Sequence, residues 1–484
     1  MAEIQKDILI VGAGPTGLGA AWRLNELATR GVINPLIDWL LVERSQFPGG
    51  MAMSTTDSQG FTWDLGGHVV YSHYKYFDAL LDELVGGELL HHERKGWVWM
   101  HGRYIPFPIQ RNLHHLPPAD LTRCLKDLIG NQAMDRGNSS GPTNFAEWLR
   151  WNFGQSLTEL FFLPYNFKMW AYPADEMGID WTQRKSGSRY ANVPLVDVDR
   201  LLENVVCRRD DPGWTGASLF PYPVRGGIGA LWQRAYAKLP ADRRLLDQEL
   251  VSIDTDRRIA RFSSGLQVAY RHLVSSMALP DLLAAMPADA ADFRRTCPLK
   301  HSRSHVVGFG LRGETPAALR DKCWVYVPEL NLPFFRVTVI SNYSPNNVPD
   351  DGAHWSLLCE VSESPYKPID TDEMLAEVEA ALTTSFLPPD QTIVSRWYRY
   401  LDYGYPVPCL QRDGFLREVE PWLRRRHIRT RGRFGGWKYE TSNQDNGFMQ
   451  GVEAVDSILF GAEELSYFYP DLICDGAVQR VLPN

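Results

Sequence analysis

Cysteine is scarce in this 484-residue chain. There are seven (Cys124, Cys207, Cys297, Cys323, Cys359, Cys409, Cys474), with no C-x-x-C pair and no Cys/His spacing that suits zinc. So scattered and odd a set excludes a disulfide framework, and no metal centre is expected. Positive charge is short as well: 50 Lys and Arg stand against 58 Asp and Glu, a net charge of −8. No nucleic-acid partner is expected, and an anionic ligand has to be met by individual arginines. The apolar start, Ile8 to Val11, is far shorter than the roughly 20 residues a membrane helix requires, so no membrane insertion is expected. No secretory leader is recognisable; with the scattered thiols this predicts a cytoplasmic setting, and the sequon at Asn138 is read as chance. There is no internal repeat and no low-complexity tract. The sequence leaves the oligomeric state open.

What is present begins with "DILIVGAGPTGLGAAWRL". Asp7 to Val11 reads as a strand, Gly12-Ala13-Gly14-Pro15-Thr16-Gly17 as a tight turn, and the following residues as a helix through about Leu27. A second apolar run, Ile37 to Val42, ends in Glu43. A lone G-x-G-x-x-G is weak, but flanked by strand, helix and an acid it predicts a dinucleotide site. The glycines let backbone approach a pyrophosphate at the helix N-terminus, and Glu43 can accept from a ribose. Paired glycines follow in "FPGGMAMS", with Gly50, and in "DLGGHVVYSH", with Gly66, Gly67 and His68. These further backbone approaches suit a long cofactor such as FAD.

From about Pro117 to Asn204 the pattern is helical; Thr143 or Asn144 is placed to cap a helix with Glu147 in its first turn. From His301 to Tyr405 strand-like runs dominate and predict an antiparallel sheet, and His272 to Leu279 reads as a buried strand of the first domain. A second glycine-rich turn, Gly432 onward, leads into an apolar helix from Phe448 to Leu459 and is expected to close the cofactor site.

Taken in order, "GAGPTGLGAA", "LGGHVVYSHYKYFD", "PYNFKMWAYP", "YPVRGGIGALW", "DKCWVYVPE", "PFFRVTVISNYSP", "GYPVP" and "GRFGGWKYETSNQDNGFMQGVEAVD" resemble the eukaryotic-type UDP-galactopyranose mutases, from Asp7 to about Asp471. The resemblance implies a mixed α/β fold: an FAD-binding Rossmann-like domain in three parts (1–90, 215–295 and 430–484), a connection at 91–116, a helical lid domain at 117–214 and an antiparallel sheet domain at 296–429. It implies an isomerase acting on a nucleotide sugar. The N5 atom of reduced FAD attacks the anomeric carbon, UDP leaves, and the ring opens and recloses with no net redox change. NADPH or NADH is the implied reductant.

Carried over residue by residue, the resemblance assigns Gly12, Gly14, Gly17, Glu43, Gly50, Gly66, Gly67, His68, Gly432, Arg433 and Gln444 to the cofactor. It assigns Arg336 and a loop arginine, Arg189 or else Arg184, to the diphosphate, whose paired oxygens suit a guanidinium. Tyr326, Tyr343, Tyr405 and Tyr439 surround the diphosphate; Phe161, Tyr165, Asn166 and Trp170 lie on the uridine side, where Pro164 and Asn166 are expected to interrupt a helix; Asn443 lines flavin and substrate. His68, Arg336 and Arg189 are the implied catalytic residues.

The chain departs from the family pattern in three places. "FPIQ" puts Phe107 and Ile109 where the family has a tyrosine and a phenylalanine near the uracil, which leaves the base open. "WTQRKSGSRYANVP" is a longer arginine loop. Gly96 replaces a serine near the nicotinamide, although Arg94 is kept. The alternatives are a mutase for another nucleotide sugar, an amine-oxidase-like FAD oxidoreductase that shares the GAGPTG start, and a non-catalytic flavoprotein. Two segments, Arg184 to Val193 and Arg208 to Gly216, are expected to close over the substrate.

Overall fold

A computed structural model describes residues 3–34, 36–133, 141–182, 193–212, 218–286, 290–349 and 353–474. Glu3–Val11 is a central strand of a seven-stranded sheet. Ile8, Leu9 and Ile10 are all buried, an unbroken run because both faces of the sheet are covered. This strand runs parallel to Trp39–Val42 on one side and to Gln267–Ser275 on the other. Gln267–Ser275 also takes Ile428–Thr430 as a parallel neighbour. The carboxyl ends of these four strands therefore emerge along one edge, where ligands of open α/β sheets bind.

Two expected strands are displaced. The second begins only at Trp39, because Ile37 N–H turns back to the Asn34 carbonyl. The run foreseen as His272 to Leu279 is instead Gln267–Ser275, paired along its first residues with Ile259–Phe262, and Leu279 already opens a short helix.

The helix Pro15–Thr29 packs directly on the helix Gln444–Phe460. Glycine permits the approach. A Cβ on Gly19 would lie 2.1 Å from the Phe448 carbonyl oxygen, and one on Gly451 would lie 1.9 Å from that of Thr16. Arg23 on the first helix donates from Nε to Asp456 of the second at 2.8 Å, with both side chains out of solvent.

The second large sheet is ordered Ile393–Val407, Lys300–Arg312, His354–Glu363, Arg336–Thr338, Trp324–Tyr326, Gly96–Met100, Arg103–Pro106. It is antiparallel except where Trp324–Tyr326 meets Gly96–Met100, a parallel pairing with a segment from far upstream. Within the span His301 to Tyr405 expected to be strand-rich, Phe335 to Tyr343 yields only three strand residues before a single turn at Ile340–Asn342.

In the helical part, Asn144 caps Phe145–Leu157 by accepting from Glu147 N–H at 2.9 Å, while the Glu147 carboxylate accepts from both Thr143 N–H and its hydroxyl. Leu163–Trp170 differs from expectation, since it is unbroken. It continues without a gap from a π-helical turn, Thr158–Phe162, so the regular α-helical ladder is interrupted just ahead of Pro164 and not at it. Asn166 Nδ2 returns to the Phe162 carbonyl and its Oδ1 receives Trp170 Nε1.

Candidate active site

A cavity of about 680 Å³ opens from the edge where the parallel strands end and runs across to the second sheet. At its nucleotide end Gly12 has φ +101°, and a Cβ there would lie 2.2 Å from Ser276 Oγ. Gly14 is the N-cap of the first helix with no side-chain hydrogen bond, which leaves the first backbone N–H groups to a ligand. Gly50 faces it across the cavity wall, so close that a Cβ on Gly50 would lie 3.3 Å from Gly14 Cα. Gly17 is not in the lining; a Cβ there would lie 1.7 Å from the Gly12 carbonyl oxygen, so its absence lets the helix seat on the turn. Glu43 accepts from Ala13 N–H at 2.7 Å and Ser45 N–H at 2.9 Å while lining the cavity. Its carboxylate is thus held rigidly at the strand tip.

In the middle, Gly67 and His68 line the cavity and Gly66 sits just beneath, at φ +130°. Burial pushes the His68 imidazole down to about 4, assisted by the Arg433 and Arg336 cations and opposed by Glu360. His68 is therefore neutral at physiological pH. On the far side, Arg433, Asn443 and Gln444 come from the second glycine-rich segment. Arg433 stacks over Tyr405 at 5.0 Å and Tyr439 at 5.8 Å. Gln444 is tied to protein, accepting from Trp232 Nε1 at 2.7 Å and donating to the Val69 carbonyl. Gly432 lies outside the lining; its N–H donates to Gln450, and a Cβ would lie 2.3 Å from Thr16 Oγ1.

The end of the cavity against the second sheet is walled by Tyr326, Arg336, Tyr405 and Tyr439, joined by Tyr71, Arg94 and Trp324. Arg336 and Tyr326 are cross-strand partners, which puts them on one face of the sheet. Burial lifts the tyrosine hydroxyls above their ordinary value although Arg336 draws them down, so they stay protonated and able to donate. The block Phe161, Tyr165, Asn166 and Trp170 is not in the lining. It backs the tyrosines: Tyr165 meets Tyr326 at 5.3 Å, and Trp170 meets Tyr439 at 4.7 Å and Tyr405 at 5.7 Å. Tyr343 is fully buried against Phe220 and Tyr222, apart from the lining residues. Arg184 and Arg189 lie outside the described residues.

Flavin dinucleotide suits this cavity. Gly12, Gly14, Gly50 and Gly67 bring bare backbone to its walls, and His68 Nδ1 and Arg433 Nε in the lining are buried polar atoms with no hydrogen-bond partner in the protein. Sequence reading passed over Tyr71, Ser276 and Glu360. Ser276 was legible as the residue after a buried strand, and Glu360 as a lone acid in the apolar run "HWSLLCEVS". Tyr71 carried no distinguishing signal.

The family model for flavin-containing amine oxidoreductases matches residues 15–459. Among solved structures, a reduced UDP-galactopyranose mutase superposes with TM-score 0.90 at 39% identity, covering 97% of this chain and 99% of its own. Two others share the fold at low identity. They are a CLA-producing fatty acid isomerase from P. acnes (TM-score 0.61, 15% identity, 94% and 99% covered) and a putrescine oxidase bound to putrescine (0.60, 16%, 95% and 100%). Fold and site together define a flavin-dependent enzyme of the amine oxidoreductase class. Within that class the chain belongs to the UDP-galactopyranose mutase family of isomerases.

Proposed function

We propose that the protein interconverts the pyranose and furanose forms of a nucleotide sugar, UDP-galactopyranose and UDP-galactofuranose, without net oxidation. The observation that carries this reading is Arg336, a half-buried guanidinium that lines the same cavity as the flavin cradle together with Tyr326, Tyr405 and Tyr439. Bound and reduced, FAD supplies the nucleophile for the anomeric carbon.

The chain's own residues act around it. Arg336 holds the departing diphosphate, with Arg189 or Arg184 as its loop partner; Tyr326, Tyr405 and Tyr439 donate to the phosphate oxygens; neutral His68 faces the flavin. Phe161, Tyr165, Asn166 and Trp170 support the uridine side, Tyr343 stiffens the wall, and Asn443 reaches both ligands. Residues 117–214 act as the lid over FAD-binding parts 1–90, 215–295 and 430–484. NADPH or NADH is the reductant, with Arg94 beside it, and the setting is cytoplasmic. An amine substrate fits poorly, because Arg94, Arg336 and Arg433 all stand at the reacting end of the cavity and repel an ammonium group.

Product analysis with a panel of sugar nucleotides under dithionite tests the reading. A furanose product from the UDP-galactose pair is expected, and with NADPH in place of dithionite none is consumed per turnover. Steady oxygen uptake driven by an amine would replace this reading with an oxidase.

A further inference from the structure

We infer that Glu360 is a positioning residue that couples diphosphate occupancy at Arg336 to the loop bearing His68. The inference rests on the diphosphate reading of Arg336 proposed above. Register creates the arrangement: Arg336 and Glu360 are directly opposed on neighbouring antiparallel strands, so their side chains share a face. Arg336 gives one edge of its guanidinium to the carboxylate, Nε to Oε2 at 2.5 Å and Nη2 to Oε1 at 2.8 Å. Nη1 is left for a ligand in the cavity. Glu360 is 4% exposed, so solvent does little to screen the pair.

The same carboxylate touches the loop. Gly67 N–H lies 3.4 Å from Oε2, at the outer limit of a hydrogen bond. A Cβ on Gly66 would lie 3.0 Å from Oε1, and one on Gly67 would lie 2.4 Å from Thr338 Oγ1 and 3.3 Å from the Arg336 guanidinium carbon. Loop backbone therefore rests on the ion pair with no side chain between. Thr338 Oγ1 is itself buried without a partner. Arg336, His68, Tyr326, Tyr405 and the adjacent Cys359 are the titratable groups that feel the Glu360 charge.

A diphosphate competes with Glu360 for one guanidinium. As Arg336 turns to the phosphates, Oε2 loses its closest donor, and the nearest backbone donor is Gly67 N–H. Tightening that contact draws the Gly66–His68 backbone toward the sheet and changes what faces the flavin. Because that loop lines the flavin cavity, the coupling is reciprocal: a redox state that bound diphosphate favours must itself bind diphosphate more tightly by the same factor.

The experiment is a dye-coupled measurement of the flavin midpoint potential, with and without saturating UDP, together with UDP affinity of the oxidised and reduced holoenzyme. In wild type, UDP shifts the midpoint; a tenfold affinity difference between the two states corresponds to about 30 mV for a two-electron couple. E360Q keeps the size and loses the charge. It is expected to bind UDP and lose most of the shift, while E360D restores part of it. R336K, which cannot serve carboxylate and diphosphate side-on together, is expected to lose the shift too and covers the case in which E360Q fails to hold flavin. An ion pair that served only the fold would lower thermal stability in E360Q and leave the UDP-dependent shift intact. That result overturns the coupling, as does a full shift in R336K, or UDP binding to wild type with no shift. Failure of wild type to bind UDP would instead sink the diphosphate reading of Arg336.

Discussion

Replacing Arg336 by alanine does two separable things. It leaves the Glu360 carboxylate buried without its cation; removing one member of a buried ion pair typically costs about 3–5 kcal/mol of stability. It also removes the contact that follows the growing charge on the leaving diphosphate, typically about 2–4 kcal/mol of transition-state stabilisation, or roughly 30- to 1,000-fold in rate. The double variant R336A/E360Q separates the terms, since no unpaired charge remains and most of the lost stability returns. Turnover should not return with it. Chemical denaturation gives the stability of the three proteins, and furanose formation by reduced enzyme at saturating substrate gives the rates. Single and double variants should share a deep loss of turnover and weakened UDP binding, with flavin content retained in the double. Near-wild-type turnover in R336A/E360Q would refute the role given to Arg336, because the guanidinium would then matter only to the fold.

Three further outcomes are expected. Gly451→Val places atoms on a Cβ that already lies 1.9 Å from the Thr16 carbonyl oxygen and 2.8 Å from Ala20 N, so the two cradle helices must part; the purified variant is expected to be colourless where wild type is yellow, as read by absorbance near 450 nm. Glu43→Ala frees the Ala13 and Ser45 N–H groups and removes a ribose acceptor, and FAD affinity measured by fluorescence quenching is expected to fall roughly 5- to 150-fold, given the roughly 1–3 kcal/mol cost of an unmet buried donor. Burial lifts the Asp64 carboxyl to about 6 against three donors, Ser54, Tyr222 and Ile228 N–H. The folded state therefore holds this proton between about pH 4 and 6 where the unfolded chain releases it, and the Asp64 contribution falls as pH rises through that window, by on the order of 3 kcal/mol. Denaturation of wild type and Asp64→Asn across pH 4 to 7 should show their difference moving that way; a constant difference would contradict it.

Where a residue's duty is written in its immediate neighbours, the sequence was readable. The first strand, its glycine turn and Glu43 lie within some forty residues, and each needs only local backbone geometry. Arg336 was legible through a motif, but its partner was not, since Glu360 meets it by strand register alone. The tyrosines show the limit of side-chain type as a guide: Tyr405 lines the cavity and Tyr343 does not, and nothing local to either distinguishes them. Pro164 marked an interruption but not its form, since a π-helical turn at Thr158–Phe162 precedes it and the chain stays helical through the proline. The parallel contact of Gly96–Met100 with Trp324–Tyr326 lay beyond any pattern, for strand order across more than two hundred residues is settled by packing.

The pairing of Arg23 with Asp456 spans 433 residues of chain. At the usual roughly 5–20 residues per second of synthesis, the first helix waits on the order of 20–90 seconds after leaving the ribosome for the helix that covers it. Throughout that interval the Gly19 face is uncovered, Arg23 has its neighbour Glu26 but not yet Asp456, and the FAD cradle lacks one wall. Cofactor capture is thus a late event in the birth of the molecule, and a nascent chain of even 440 residues is a client for chaperones rather than a flavoprotein. A premature stop anywhere before Gln444 should give protein that neither binds flavin nor survives cellular proteolysis, although every residue of the glycine-rich opening motif is intact.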